Sequence, residues 1–290
     1  MSWRIVVISN RAKLDLNLNY MVVRNEVTTK IHLSEISILL LESTGISLTT
    51  SLMSELAKRK IKVIICDEKR NPIAETVPYY GSHDTSAKIR QQIVWDENIK
   101  GQVWTEIVSE KIRKQAGVLE KLNREEASLL RGYISEIQYR DSTNREGHAA
   151  KVYFNALFGM DFTRTEEIPI NAALNYGYSI FLSAVNRDIV SNGYITQLGV
   201  FHNNMFNPFN FASDLMEPFR PVVDMCVYQM GPVQFEHEEK MELVALLNSE
   251  VMIDGKKQFL NNAIKIYCRS VFEAINERDV SLIRFCKDEL

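Results

Sequence analysis

KLDLNLNYMVVRNEVTTKIHLSEISILLL, residues 13–41, opens on a strict alternation: Leu14, Leu16 and Leu18 are interleaved with Lys13, Asp15, Asn17 and Asn19. A two-residue apolar period puts one face of a strand in water and the other on a core. Residues 3–9, 20–25, 27–32 and 36–41 are further β-branched or apolar runs, separated by Asn, Ser and charge, and together they predict a compact antiparallel sheet. One helix interrupts it, with Leu48, Leu52, Met53 and Leu56 on a face and Lys58, Arg59 and Lys60 in a last turn where cations suit the helix dipole. Residues 61–66 read as a buried strand.

Between Pro72 and Asp84 the signal becomes turn-like, with Pro72, Pro78, Gly81 and Ser82, and the domain boundary is placed there. Beyond it the period is helical. Ile99, Val103, Ile107 and Ile112 form one stripe, Leu174, Tyr178 and Phe181 another, and Ile264, Cys268, Val271 and Ile275 a third. The expected fold class is α+β: a small N-terminal antiparallel β domain with one helix, residues 1–80, followed by a larger all-helical C-terminal domain, residues 81–290.

The chain has 290 residues, 46% hydrophobic and 24% charged, which is globular composition and excludes disordered and fibrous classes. No apolar run reaches the ~18 residues of a membrane span, and the N-terminus lacks the layout of a signal peptide, so a cytoplasmic protein is expected. The closing Lys287-Asp288-Glu289-Leu290 spells a retention address that is read only on a secreted chain, and is taken as coincidence. Cys66, Cys226, Cys268 and Cys286 stand singly, which favours reduced core thiols over a zinc ribbon or a disulfide framework. Net charge is -3, with residues 1–80 at +3 and the remainder at -6. Any nucleic-acid binding must therefore use local basic patches.

His202 lies in the most unusual company, in GVFHNNMFNPFNFASDLMEPFRPVVD, residues 199–224, with three asparagines at 203, 204 and 207 and the acids Asp214 and Glu217. Acids three apart share a helix face, and Pro218 and Pro221 place that face near a helix start or bend. Such a pair either caps the helix or holds a cation. Glu146, among Val152, Phe154 and Phe158, is a candidate third ligand, whereas His148, two residues on, points elsewhere. Glu236-His237-Glu238-Glu239 reads as a solvated charge run. Phosphate-binding glycine loops and the common hydrolase signatures are absent.

Taken together, Glu146-Gly147 with Tyr153-Phe154, NAALNYGYSIFLSAVNR from Asn171, His202-Asn203-Asn204, and Asp214-Leu215-Met216-Glu217-Pro218-Phe219-Arg220-Pro221 resemble the successive motifs of the CRISPR-associated adaptation integrase and endonuclease, the subunit that inserts new spacers into a CRISPR array. The resemblance covers the whole chain, and NNMFNPFN is similar to the type II version. It implies a divalent cation, Mg²⁺ or Mn²⁺, held by residues matching Glu146, His202 and Glu217, where many relatives carry aspartate in the last place. Asp214 matches a further acidic position, either a ligand or a group that orients one.

The resemblance further implies attack by a DNA 3′-hydroxyl on a phosphodiester for integration, or by water for nicking. Its DNA partners are a prespacer and the CRISPR leader-repeat, and its protein partners a second copy, joined through the N-terminal β domains as a homodimer, and a small adaptation protein bridging dimers. Arg145, Lys151, Arg187 and Arg220 flank the motifs as candidate phosphate contacts. For Arg220 an ion pair with Asp224, four residues on, is the plain alternative. Tyr176 and Tyr178 are expected to pack the site, their hydroxyls on its polar groups. Two other functions fit the residues less closely: a non-catalytic helical DNA-binding or scaffold protein, and a small-phosphate metallohydrolase with a deep pocket.

Overall fold

The computed structural model describes residues 4–78 and 82–287; Trp3 of the expected first strand, Gly81 of the expected turn and the last three residues of the Lys287–Leu290 sequence lie outside the described residues. The N-terminal part contains β1 (Arg4–Ile8), β2 (Lys13–Asn17), β3 (Tyr20–Arg24), β4 (Thr28–His32), β5 (Ile36–Leu41), β6 (Ser47–Leu48), α1 (Thr50–Lys58), β7 (Lys62–Cys66) and β8 (Pro72–Glu75). They form two four-stranded sheets, ordered β4-β3-β2-β6 and β1-β5-β7-β8. The first is the alternating stretch: β2, β3 and β4 pair antiparallel, with β6 added parallel to β2. Leu18 falls in the β2–β3 turn at φ 55° and is exposed rather than on the buried face.

The expectation of a purely antiparallel sheet fails on both: β6 is parallel in the first, and in the second β1, β5 and β7 run parallel and only β8 is antiparallel. In the second the reason is burial. ISILLL in β5 is buried at all six positions, as in parallel strands covered on both faces. Ile36, Leu39 and Leu41 join the core under α1, while Ile38 and Leu40 join the core of the helical part. Pro72–Glu75, expected as a turn, is the edge strand β8; proline is tolerated at the first position of such a strand.

The remainder holds α2 (Thr85–Ile93), α3 (Glu97–Lys121), α4 (Glu126–Glu136), α5 (Arg145–Phe158), α6 (Pro169–Ser191), α7 (Asn210–Met216), α8 (Arg220–Met230), α9 (His237–Ala245), β9 (Glu250–Ile253), β10 (Lys256–Phe259) and α10 (Leu260–Glu277). The expected stripes of α3, α6 and α10 are all buried. The all-helical expectation is corrected by the β9–β10 hairpin, whose turn Asp254-Gly255 has both residues at positive φ, the preferred chemistry of a tight hairpin.

Buried polar ties join the two parts. Lys62 Nζ sits 2.8 Å from Glu75 Oε1, and Glu75 also accepts from Ser183 and Asn186 of α6. His237 Nδ1 lies 3.0 Å from the buried Glu42, which Arg70 also approaches. The run 236–239 is therefore not simply a solvated face: Glu236 and Glu239 form a capping box and His237 anchors α9 to the β domain. All four cysteines are buried. Among the described residues no helix is long and apolar enough to cross a membrane.

Candidate active site

Glu146 owes its position to Asp141. Asp141 and Asn144 both sit at positive φ, bending the chain so that the Asp141 carboxylate accepts from Arg145 N at 2.7 Å and Glu146 N at 2.9 Å. That satisfies the orphan amides at the start of α5 and fixes Glu146 in its first turn.

Glu217 comes from the other side. α7 ends at Met216, and Pro218 cannot continue its hydrogen bonds, so Glu217–Phe219 form a single 3₁₀ turn before α8. At that bend Asp214 and Glu217 are both buried, yet they serve different partners, and neither caps a helix N-terminus. Asp214 Oδ2 accepts from Val200 N at 2.7 Å and Phe201 N at 3.0 Å, while Oδ1 accepts from His202 N at 3.1 Å and lies 2.5 Å from His202 Nδ1. Asp214 thus ties down the loop that carries His202 and fixes its imidazole with Nε2 as the free nitrogen. Gly199 permits this: a Cβ there would stand 2.5 Å from Asp214 Oδ2 and 2.6 Å from His202 O. The imidazole also meets the edge of Trp104, which stacks on Phe201 at 4.3 Å.

Glu146, His202 and Glu217 line one open cavity of about 260 Å³, together with Lys111, Arg220 and Asp224. Lys111 Nζ stands between the acids, 2.5 Å from Glu146 Oε1 and 2.5 Å from Glu217 Oε2. Arg220 Nε donates to Glu217 Oε1 at 2.9 Å, and its guanidinium lies over the Tyr178 ring at 4.5 Å. The Arg220–Asp224 pair is not formed; Asp224 instead takes the Tyr178 hydroxyl.

The charges act on one another. Burial alone would raise the Glu217 carboxyl, but Arg220 and Lys111 hold it down at about 2. Burial would lower the Lys111 ammonium, and Glu217 and Glu146 reverse that, holding it above its ordinary value. The hydrogen bond to Asp214 raises the His202 imidazole against the opposing effect of burial. Burial pushes Asp224 up to about 7 despite its bond from Tyr178.

Of the other expected contacts, Arg145 pairs with Glu136 at 2.8 Å over the Tyr133 ring, Lys151 is exposed on α5, and Arg187 donates to Lys60 O at 3.3 Å beside a different cavity. Only Arg220 of these four lines the cavity with the acids. Tyr176 also lies elsewhere, against Phe235 and Lys240, so the expectation that it packs the site is corrected. Lys111, Asp141 and Arg164, which lines the same cavity, lie outside the motifs that the sequence singles out. Lys111 was detectable, since it lies four residues after Ile107 on the buried stripe of α3.

Among the described residues no three His, Cys, Asp or Glu side chains are grouped as a metal site; the two glutamates converge on Lys111 instead. The donors themselves suit a hard divalent cation, being two carboxylates and an imidazole whose far nitrogen is fixed by a carboxylate. Glu217 Oε2 adds to that fit: it is buried with no aligned hydrogen bond, although an ammonium stands beside it.

The family model described as CRISPR associated protein Cas1 matches residues 5–245. The CRISPR-associated endonuclease Cas1 of Neisseria meningitidis serogroup C (strain 8013) is 34% identical over 261 residues, 88% of this chain and 86% of that protein. Among solved structures, a casposase bound to integration product has a TM-score of 0.76 at 18% identity, covering 97% of this chain and 93% of that one. A Cas6-RT-Cas1–Cas2 complex gives 0.73 at 18% identity, with 97% of this chain matched to 36% of a longer one. With the family pattern running from β1 through α9 and a relative of this identity aligned over most of both chains, the chain belongs to the Cas1 family of CRISPR-associated proteins.

Proposed function

We propose that the chain is a metal-dependent DNA endonuclease and integrase of CRISPR adaptation, of the type II kind, which inserts spacer DNA into the array by 3′-hydroxyl attack on a phosphodiester. The observation that carries the reading is the convergence of Glu146 and Glu217, from separate segments, on a single cation position in the cavity that His202 lines. In this reading Glu146, Glu217 and His202 Nε2 hold Mg²⁺ or Mn²⁺, which supplies charge neutralisation at the phosphate. Asp214 keeps His202 in the tautomer that offers Nε2. Arg220 and Arg164 face the same cavity and hold phosphate oxygens as charge develops in the displacement. An open cavity rather than a deep pocket suits a polymer substrate.

Arg145, Lys151 and Arg187, outside the cavity, track the DNA backbone farther from the reacting phosphate. Residues 1–80 are the dimerisation unit and 81–290 the catalytic unit of a cytoplasmic homodimer. A small adaptation protein bridges two such dimers, in keeping with the Cas1–Cas2 complex among the structural neighbours. A strand-transfer assay with a prespacer, a repeat-bearing plasmid, the small partner and Mn²⁺ tests the reading. Glu146→Gln and His202→Ala are expected to abolish product while DNA affinity measured without metal stays within a few-fold. Unchanged product with both variants overturns it in favour of a DNA-binding scaffold.

A further inference from the structure

Along α3, Ile99, Val103, Ile107 and Leu119 form a buried ladder in steps of four, and the two rungs between Ile107 and Leu119 are Lys111 and Gln115. A lysine on a core-facing stripe gives up the hydration of its ammonium and requires compensation within reach. Lys111 has it twice, at 2.5 Å from each of two carboxylates that arrive from α5 and from the turn before α8. Its side chain is 7% exposed, Glu217's 3% and Glu146's 24%, so the Lys111–Glu217 pair is shielded from water while Glu146 stays open to the cavity.

A monovalent cation therefore stands where the two carboxylates assigned above to the divalent ion meet. An ammonium and a divalent ion cannot share that position, because they would repel at contact distance in a poorly screened site. Arg220 already neutralises Glu217 from its other oxygen, so an ion entering beside both cations would leave the cluster strongly positive.

We propose that Lys111 is a built-in competitor of the divalent cation: its ammonium occupies the position between Glu146 and Glu217, keeps the two carboxylates at ligand spacing, and leaves that position when the ion enters. The proposal rests on the reading of Glu146 and Glu217 as ligands. It assigns Lys111 a positioning role that sets metal affinity, and it makes ion loading favourable when a DNA phosphate arrives to balance the displaced charge. By linkage, the ion then raises DNA affinity by the same factor that DNA raises ion affinity.

The test is a Mn²⁺ titration of the full chain without DNA, with free Mn²⁺ followed by electron paramagnetic resonance. Lys111→Met keeps the length and apolar stem of the side chain and removes its charge. It is expected to tighten Mn²⁺ binding by about tenfold or more, within the usual range of such couplings. Lys111→Arg, which keeps the charge, is expected to bind no more tightly than wild type. Binding in Lys111→Met that is unchanged or weaker, while Glu146→Gln still abolishes it, overturns the competitor role and leaves the ligand assignment standing. Binding that Glu146→Gln does not alter overturns both.

A wild-type readout covers the case in which Lys111→Met fails to fold. Amine acylation mapped by mass spectrometry is expected to spare Lys111 in ion-free protein and to label it when Mn²⁺ saturates. Equal protection with and without Mn²⁺ refutes the displacement.

Discussion

Asp214→Asn tests how much of the site rests on one buried carboxylate. Asp214 is fully buried and accepts four N–H groups, from Val200, Phe201 and His202 amides and from the His202 ring. Asparagine retains one carbonyl oxygen, so roughly two of the four donors lose their acceptor and face an amide NH₂ instead. At ~1–3 kcal/mol for each orphaned buried donor, with partial relaxation of the loop, the loss is about 3 kcal/mol. At the usual 2–4 °C per kcal/mol for a chain of this size, the melting temperature drops by roughly 6–12 °C. The imidazole loses the partner that raises it and titrates closer to its ordinary value. A raised histidine stabilises the fold fully below its unfolded pKa of about 6.5, and that contribution fades as pH rises through the folded value. The gap in melting temperature between wild type and variant is therefore wider at acid than at alkaline pH. On the proposed assignment of His202 Nε2 as a metal ligand, loss of the group that orients the imidazole lowers Mn²⁺ affinity by about 10–100-fold. Calorimetric melts at several pH values and histidine NMR titration read these effects. A variant that melts within 2 °C of wild type with an unshifted His202 would refute the reasoning.

Three further outcomes are expected. Asp141→Ala removes the acceptor for the first amides of α5 and costs about 1–2 kcal/mol; because Glu146 sits in that turn, strand transfer falls with the melting temperature, and a normal melt would show that Arg145 N and Glu146 N find other partners. Gly199→Ala drives a methyl against Asp214 and His202 O, costing about 1–3 kcal/mol, and reduces activity more than Gly132→Ala, where a Cβ meets nothing within 4 Å; equal activity of the two would remove the close-approach argument. Burial holds Asp224 at about 7, so the folded protein binds a proton there that the unfolded chain releases near pH 4, and stability falls as pH rises from about 4 to 7. Asp224→Asn is expected to flatten that fall in chemical-denaturation curves, and an unchanged slope would mean Asp224 is ionised throughout.

The fold was legible where one face of an element meets water. β2 could be read from Leu14 and Leu16, and α3 and α10 from their stripes, because alternation or a 3.6-residue period survives in the sequence. It was less legible where both faces are covered. ISILLL in β5 has no alternation to show whether its neighbours run parallel or antiparallel; that depends on the helical core packing against Ile38 and Leu40, a tertiary fact. The β9–β10 hairpin, by contrast, carried its own signal in Asp254-Gly255, between VMI and KKQF.

At the site, spacing misled at one point for a physical reason. Asp214 and Glu217 are three apart, which on a continuous helix would aim both acids at a shared ligand. Pro218 ends the helix between them, and the turn sends Asp214 toward the 200–202 backbone and Glu217 toward Lys111. The two acids thereby divide the work: one holds the loop that bears His202, and the other meets Glu146 at the cation position. No local pattern encodes that meeting, since Glu146 and Glu217 lie 71 residues apart in the sequence and meet at Lys111 of α3. What the sequence does contain is its consequence, a lysine in an apolar ladder. A cation that interrupts a core stripe is tolerated only beside buried acids, so Lys111 itself pointed to a carboxylate cluster facing α3.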